Sequence, residues 1–235
     1  MIRIPAQVVG IEEGADGSFL VHGLTLPGCA AWGVTVEGAI EAWTAELNEW
    51  FRFLAAEGEP TPPREVEIDI QVDEWLRTDA RLREGESKVC FRADLEPLLE
   101  EEVRRDVRIL GALRGRVLPS IRRMRDEDLA AMGTPDWNAR IVLDELARAS
   151  WWTLTRLGAS PLGEVPDRVV ARLDTAMAMV VHRLTEMEPD DRGKCVEIDG
   201  EEWTPRKVVR RLLWLEWTLG AAALDALAFP HHRVT

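Results

Sequence analysis

The sequence predicts an α+β protein in two parts: a βββαβ domain over residues 1–75 and a four-helix bundle over 98–230, joined by a linker at 76–97. Three observations predict this. Apolar and polar residues alternate along the first strands, with a period of two. From Val36 to Ala56, and again from Leu99 onward, apolar residues recur at i, i+3 and i+4, the helical period. Between these regions residues 76–97 are charged and irregular.

The elements follow in order. Ile2, Ile4, Ala6 and Val8 share one face of a first strand. Gly14, Asp16 and Gly17 supply a turn, and Ser18–His22 returns as a second strand. Leu26-Pro27-Gly28 turns the chain into a short third strand over Ala30–Val34. Thr35 is an N-cap, and Glu37 in the first turn suits the helix dipole. Val36, Ile40, Trp43, Leu47, Trp50, Phe51 and Leu54 then mark an amphipathic helix. A proline-rich connector leads to a fourth strand, Glu65–Val72.

In the second part Leu99, Val103, Val107, Leu110 and Val117 mark a helix that Pro119 should stop. Asn138 caps a second helix ending near Gly158, and Pro166-Asp167 start a third that ends before Pro189. The fourth begins at Thr204-Pro205, an N-cap followed by proline at the first helical position, and runs to Ala228. From Leu212 it is apolar or small nearly all round, so neighbours must bury it.

Composition narrows the function. The formal net charge of −13 argues against a nucleic-acid partner, because neutralising phosphates needs a basic face. No apolar run is long enough to span a membrane, and the N-terminus has no signal-peptide pattern, so the expected location is the cytoplasm. Cys29, Cys90 and Cys195 are odd in number and lack a CxxC spacing, which fits a reducing compartment. Lysine occurs only at 88, 194 and 207, and the ten tryptophans with no tyrosine read as packing anchors.

Leu26, Pro27, Gly28, Cys29, Gly33, Thr35 and Ala39, in the order βββαβ, resemble the HicB-type antitoxin domain. The pattern departs from that family at Gly38, which follows Glu37 where an acidic pair is usual. The resemblance implies an RNase H-like fragment without catalytic carboxylates, which binds a partner toxin or dimerises. No basic DNA-binding segment follows it here.

An internal repeat marks the second part. The segment starting at Trp137 aligns without a gap on that starting at Trp203: Arg140 recurs as Arg206, Val142 as Val208, Leu146 as Leu212 and Trp151 as Trp217. With Trp214, this region (about 91–228) resembles the DinB/YfiT family of four-helix bundles. That resemblance implies a divalent metal on three histidines and, in several members, thiol-dependent transfer. This chain departs at all three ligand positions, holding Glu145, Leu215 and Leu219, so neither a metal nor another cofactor is expected.

The candidate ligand-binding residues are therefore Glu145, His182, Arg211 and Glu216, with no catalytic residue assigned. Glu145 and Arg211 are equivalent in the repeat, with Asp144 and Arg210 as close alternates. They either face each other where the metal would lie or point to solvent. The basic start of the last helix, Arg206–Arg211, either holds an anion or pairs with Asp199, Glu201 and Glu202. The expectation is a non-catalytic interaction or small-ligand-binding protein, with a homodimer as its expected assembly. The alternative is a metal-independent, thiol-linked transferase or hydrolase.

Overall fold

The computed structural model describes residues 6–62, 68–158 and 165–228. It is mixed α+β and divides into two compact units, residues 1–97 with 195–210, and 98–194 with 211–235. His231 and His232 lie outside the described residues.

In the first unit β1 (Gln7–Glu13), β2 (Phe19–Gly23), β3 (Ala30–Gly33), α1 (Val36–Ala56) and β4 (Ile70–Arg77) follow one another. The strands form one sheet in the order β3-β2-β1-β4. β1 pairs antiparallel with β2 and parallel with β4, so α1 is the crossover between the two arms. Thr35 caps α1 as expected, its Oγ1 accepting from the Gly38 amide at 3.1 Å. Residues directly opposite on paired strands share a face. Val9 and Gly23 are opposite, and Gly23 meets Trp43 of α1, so α1 covers that face. Trp43 is fully buried and donates its indole N–H to the Cys29 carbonyl at 3.2 Å. The other face holds Gly10, Glu12, Leu20 and His22. Gly10 is required there, because a β-carbon would sit 2.5 Å from the Phe91 ring.

Two boundaries differ from expectation. β4 runs over residues 70–77 rather than 65–72, and pairs with β1 from Gln7 to Glu13 with a one-residue register shift between Val9 and Gly10. It is an edge strand with most side chains exposed, so Asp73, Glu74 and Arg77 interrupt the apolar alternation without interrupting the strand. Part of the expected strand, residues 65–67, lies outside the described residues. The expected linker at 76–97 is not a linker. Ala80, Leu82, Val89 and Phe91 are buried, and this segment covers the face of the sheet opposite α1. A hairpin of β5 (Val196–Ile198) and β6 (Glu201–Trp203) completes the unit. Its Asp199-Gly200 turn has positive φ at both residues (56° and 76°), the geometry a two-residue hairpin loop favours.

The second unit contains α2 (Glu100–Ile121), the short α3 (Asp126–Ala130), α4 (Ala139–Arg156) and α5 (Val169–Thr185). It also takes residues 211–228 of α6 (Pro205–Ala228), whose Pro205–Arg210 start belongs to the first unit. Asn138 caps α4 through Ile141 N–H at 3.1 Å. Pro119 does not stop α2. It and Gly115, whose carbonyl it leaves without an intrahelical donor, both face solvent, and the ladder resumes with Arg122 N to Leu118 O at 2.9 Å. Val117, Ile121, Leu129, Val142, Leu143, Leu146, Val170, Leu173 and Ala223 pack together as the core.

Gly111 and Gly115 are exposed inside α2, and a β-carbon at either would meet nothing within 4 Å. Gly111→Ala and Gly115→Ala should each raise stability by about 0.5–1 kcal/mol, read by urea unfolding. An unchanged midpoint would show that these positions are not helical in solution.

Candidate functional site

The four residues expected from the sequence do not converge. Glu145 is half exposed and bonds Arg148 of its own helix, Oε2 to Nη2, at 2.5 Å. It does not pair with Arg211, whose guanidinium lies over the Trp152 ring, 5.1 Å from its centroid. The alternates Asp144 and Arg210 are also apart: Asp144 pairs with Arg172 at 2.5 Å and Arg210 with Asp94 at 2.7 Å. His182 is exposed in the last turn of α5 and does not approach a bundle centre. Sequence equivalence within the repeat gave no account of helix rotation, and a rotation of one residue exchanges an inward position for a lateral one.

Arg211 and Glu216 are both buried, but Arg211 lies over Trp152 and Glu216 is already engaged. Arg114 of α2 forks onto it, Nε to Oε2 at 3.1 Å and Nη2 to Oε1, and donates Nη1–H to the Leu173 carbonyl at 2.9 Å. Burial pushes the Glu216 carboxyl up, and Arg114 opposes that shift. The residues at the three positions where the resemblance implied metal ligands do not fit a metal. Glu145 is committed to Arg148, Leu219 packs against the apolar core, and Leu215 offers no donor. Among the described residues no group of three or more His, Cys, Asp or Glu side chains stands close enough to hold one.

The densest polar cluster lies in the first unit, where sequence reasoning placed none. Glu12 (β1), His22 (β2), Asp94 and Arg210 (α6) are all at least 95% buried. The Glu12 carboxylate accepts from Ser87 Oγ (2.7 Å), Thr78 Oγ1 (2.9 Å), Lys88 N–H (2.9 Å), Val89 N–H (3.3 Å) and His22 Nε2 (3.3 Å). Arg210 donates Nε–H and Nη2–H to the two Asp94 oxygens at 2.9 and 2.7 Å, and Nη1–H to His22 Nδ1 at 2.9 Å. Asp94 also accepts from Phe91 N–H at 2.9 Å.

Because arginine only donates, His22 Nδ1 must be an acceptor and the proton must sit on Nε2, facing Glu12. His22 is therefore neutral. Burial and the Arg210 charge hold its pKa down at about 4, against the pull of Glu12. Burial works against the Glu12 anion, but His22, the Lys88 amide and the Ser87 hydroxyl outweigh it and hold Glu12 at about 2. Burial likewise raises Asp94, and the Arg210 charge and hydrogen bonds more than reverse it.

Protonating His22 breaks the Arg210 bond and puts two cations together. Its folded pKa is below the ordinary 6.5, so the unfolded chain binds more protons between the two values. The stabilisation is complete above pH 6.5 and is lost as pH falls toward 4, amounting to about 3 kcal/mol. His22→Gln can keep both hydrogen bonds without titrating, so it should flatten stability over that interval in urea titrations. An equally steep fall in the variant would place the acid-labile group elsewhere.

Beside this cluster Lys207 is fully buried. Its ammonium donates to the Lys88 and Glu202 carbonyls at 2.8 and 2.7 Å, pairs with Glu201 at 2.8 Å, and stands 4.4 Å from the Trp203 ring centroid. Of the two readings of the basic Arg206–Arg211 stretch, pairing with the acidic hairpin therefore holds for Lys207, while Arg206 caps the Glu96 and Pro97 carbonyls. The available sequence signal was weak. Lys207, Arg210 and Arg211 recur at i, i+3 and i+4 at the start of α6, and Glu12 directly follows the apolar Val8, Val9 and Ile11.

Fold and polar clusters together define an α+β protein with a crossover-sheet unit and a helical unit, each containing a buried Arg–carboxylate pair. No protein-family model, curated protein or solved structure matches the chain. No helix among the described residues is long and apolar enough to cross a membrane.

Proposed function

We propose that the chain is a non-catalytic binding protein: a HicB-like interaction unit joined to a DinB-like bundle that has lost its metal-ligating histidines. The observation that carries this reading is that its buried ionisable groups are consumed by internal partners. The Glu12 oxygens take five donors, both Asp94 oxygens take Arg210, and both Glu216 oxygens take Arg114. A buried carboxylate held by internal donors is kept from a substrate proton by those bonds and by its burial.

The surface of the first unit carries large apolar groups instead. Trp32 (51% exposed) and Val34 (60%) lie on or just after edge strand β3, and Val72 (43%) and Trp75 (49%) on edge strand β4. An exposed edge strand with flanking aromatics suits addition of a partner strand or peptide. The βββαβ order and the close approach of Gly33 to Ala39 support the HicB likeness. The four long helices α2, α4, α5 and α6 support the DinB likeness.

The test is affinity capture from host extract, wild type against Trp32→Ser/Trp75→Ser, with retained proteins identified by mass spectrometry and self-association read by light scattering. A partner or second copy held by the wild type and released by the folded double variant supports the reading. Retention unaffected by the substitutions, or turnover of low-molecular-weight thiols by the purified chain, overturns it.

A further inference from the structure

Two of the three cysteines belong to one small region of the first unit. Cys195 immediately precedes β5, whose first residue, Val196, is opposite Trp203 in the hairpin. Continuing that antiparallel register places Cys195 across from Thr204. Thr204 in turn holds the 88–97 segment, donating Oγ1–H to the Asp94 carbonyl at 2.6 Å. Lys207 clamps the same two pieces together, bonding the Lys88 carbonyl at 2.8 Å and the Glu202 carbonyl at 2.7 Å. Cys90 lies between these two ties, with its neighbour Val89 bonded to Arg210 and its neighbour Phe91 to Asp94.

The thiols differ in access. Cys195 is exposed, Cys90 is partly buried, and Cys29 is buried beneath α1. Burial, with the nearby carboxylates of Asp94 and Glu202 and against the pull of Lys207, pushes the Cys90 thiol up to about 12. An exposed thiol meets oxidant first, and a shielded thiol beside it can then resolve the oxidised sulfur into a disulfide.

We propose that Cys90 and Cys195 form a reversible disulfide when the protein meets a hydroperoxide. The Cys195 thiolate attacks a peroxide oxygen, the O–O bond breaks, and one water leaves, giving a sulfenic acid. Cys90 Sγ then attacks Cys195 Sγ, loses its proton and displaces the hydroxyl as a second water. Two thiols and one hydrogen peroxide become one disulfide and two waters. A low-molecular-weight dithiol reverses the step, being oxidised in turn. The bond tethers the 88–97 segment to the β5–β6 hairpin, on either side of the Lys207 and Arg210 contacts.

The test treats the full-length protein with stoichiometric hydrogen peroxide and follows intact mass and peptide maps without reduction. The wild type should lose two hydrogens, yield a cross-linked peptide joining Cys90 and Cys195, remain monodisperse relative to the untreated sample, and regain both thiols with dithiothreitol. Cys195→Ser should leave Cys90 reduced under the same dose, and Cys90→Ser should leave oxygen adducts on Cys195. Three outcomes overturn the proposal: oxygen adducts on Cys195 of the wild type with no 90–195 peptide, cross-links joining Cys195 of two chains, or oxidation of Cys90 at an unchanged rate in Cys195→Ser.

Discussion

Arg210→Leu should destabilise the protein by about 3–5 kcal/mol, measured by urea unfolding at pH 7. The substitution removes the donor to both Asp94 oxygens and to His22 Nδ1 in one step. Asp94 and Arg210 side chains are 2% and 5% exposed, so water cannot replace what is lost. A carboxylate left in that site must stay charged without a partner or take up a proton, and either course costs several kcal/mol. Arg210→Lys keeps the charge but cannot span Asp94 and His22 together, so it should recover only part of the loss. Arg210→Leu/Asp94→Leu removes both charges and should be more stable than Arg210→Leu alone. A single variant within about 1 kcal/mol of wild type would mean that the site admits water, and the network would then be a surface feature.

The second large effect belongs to Arg114 and Glu216, in the helical unit, and the two partners should behave differently. Glu216→Leu leaves a guanidinium buried with only the Leu173 carbonyl as an acceptor, and arginine cannot shed its charge. A loss of about 3–5 kcal/mol at every accessible pH is expected. Arg114→Leu leaves a carboxyl that burial already pushes up, so it can become neutral by taking a proton. Its cost should therefore shrink as pH is lowered, while that of Glu216→Leu does not. The double variant Arg114→Leu/Glu216→Leu should approach wild type, because apolar groups replace the pair without leaving a charge behind. Paired thermal melts at pH 7 and pH 5 distinguish these cases. Equal, pH-independent losses for both single variants would show that Glu216 stays ionised without Arg114.

The alternatives for the function part on these same groups. A thiol-linked transferase needs an accessible acid, base or nucleophile. Glu12, Asp94 and Glu216 are instead committed to internal donors, and Glu145 to Arg148. An interaction protein needs exposed contact area, which Trp32 and Trp75 supply on the two edges of the sheet.

The sequence by itself determined the local elements whose signals are contained within a few residues. Thr35, Asn138 and Thr204-Pro205 cap their helices through bonds reaching only three residues along the chain, so the helix starts were legible. The βββαβ order and its α+β class followed from alternation and helical period in the same way. The Asp199-Gly200 hairpin is equally local, but its three-residue strands show too little alternation to be legible. Pro119 was misleading for a physical reason: its cost depends on whether the freed carbonyl is buried, and solvent exposure is a tertiary property.

Tertiary structure alone decided what the charges do. His22 and Arg210 are separated by 188 residues, and Arg114 and Glu216 by 102. No spacing rule joins residues that far apart, and the charge of a side chain does not say which way its helix is turned. Glu145 and Glu216 read alike in the sequence, yet one lies half in solvent beside Arg148 and the other is sealed under Arg114. The 76–97 segment shows the same limit. Its charged residues suggested a linker, but Leu82, Val89 and Phe91 are buried because the second face of the sheet needed a cover. That need exists only once the strands have paired.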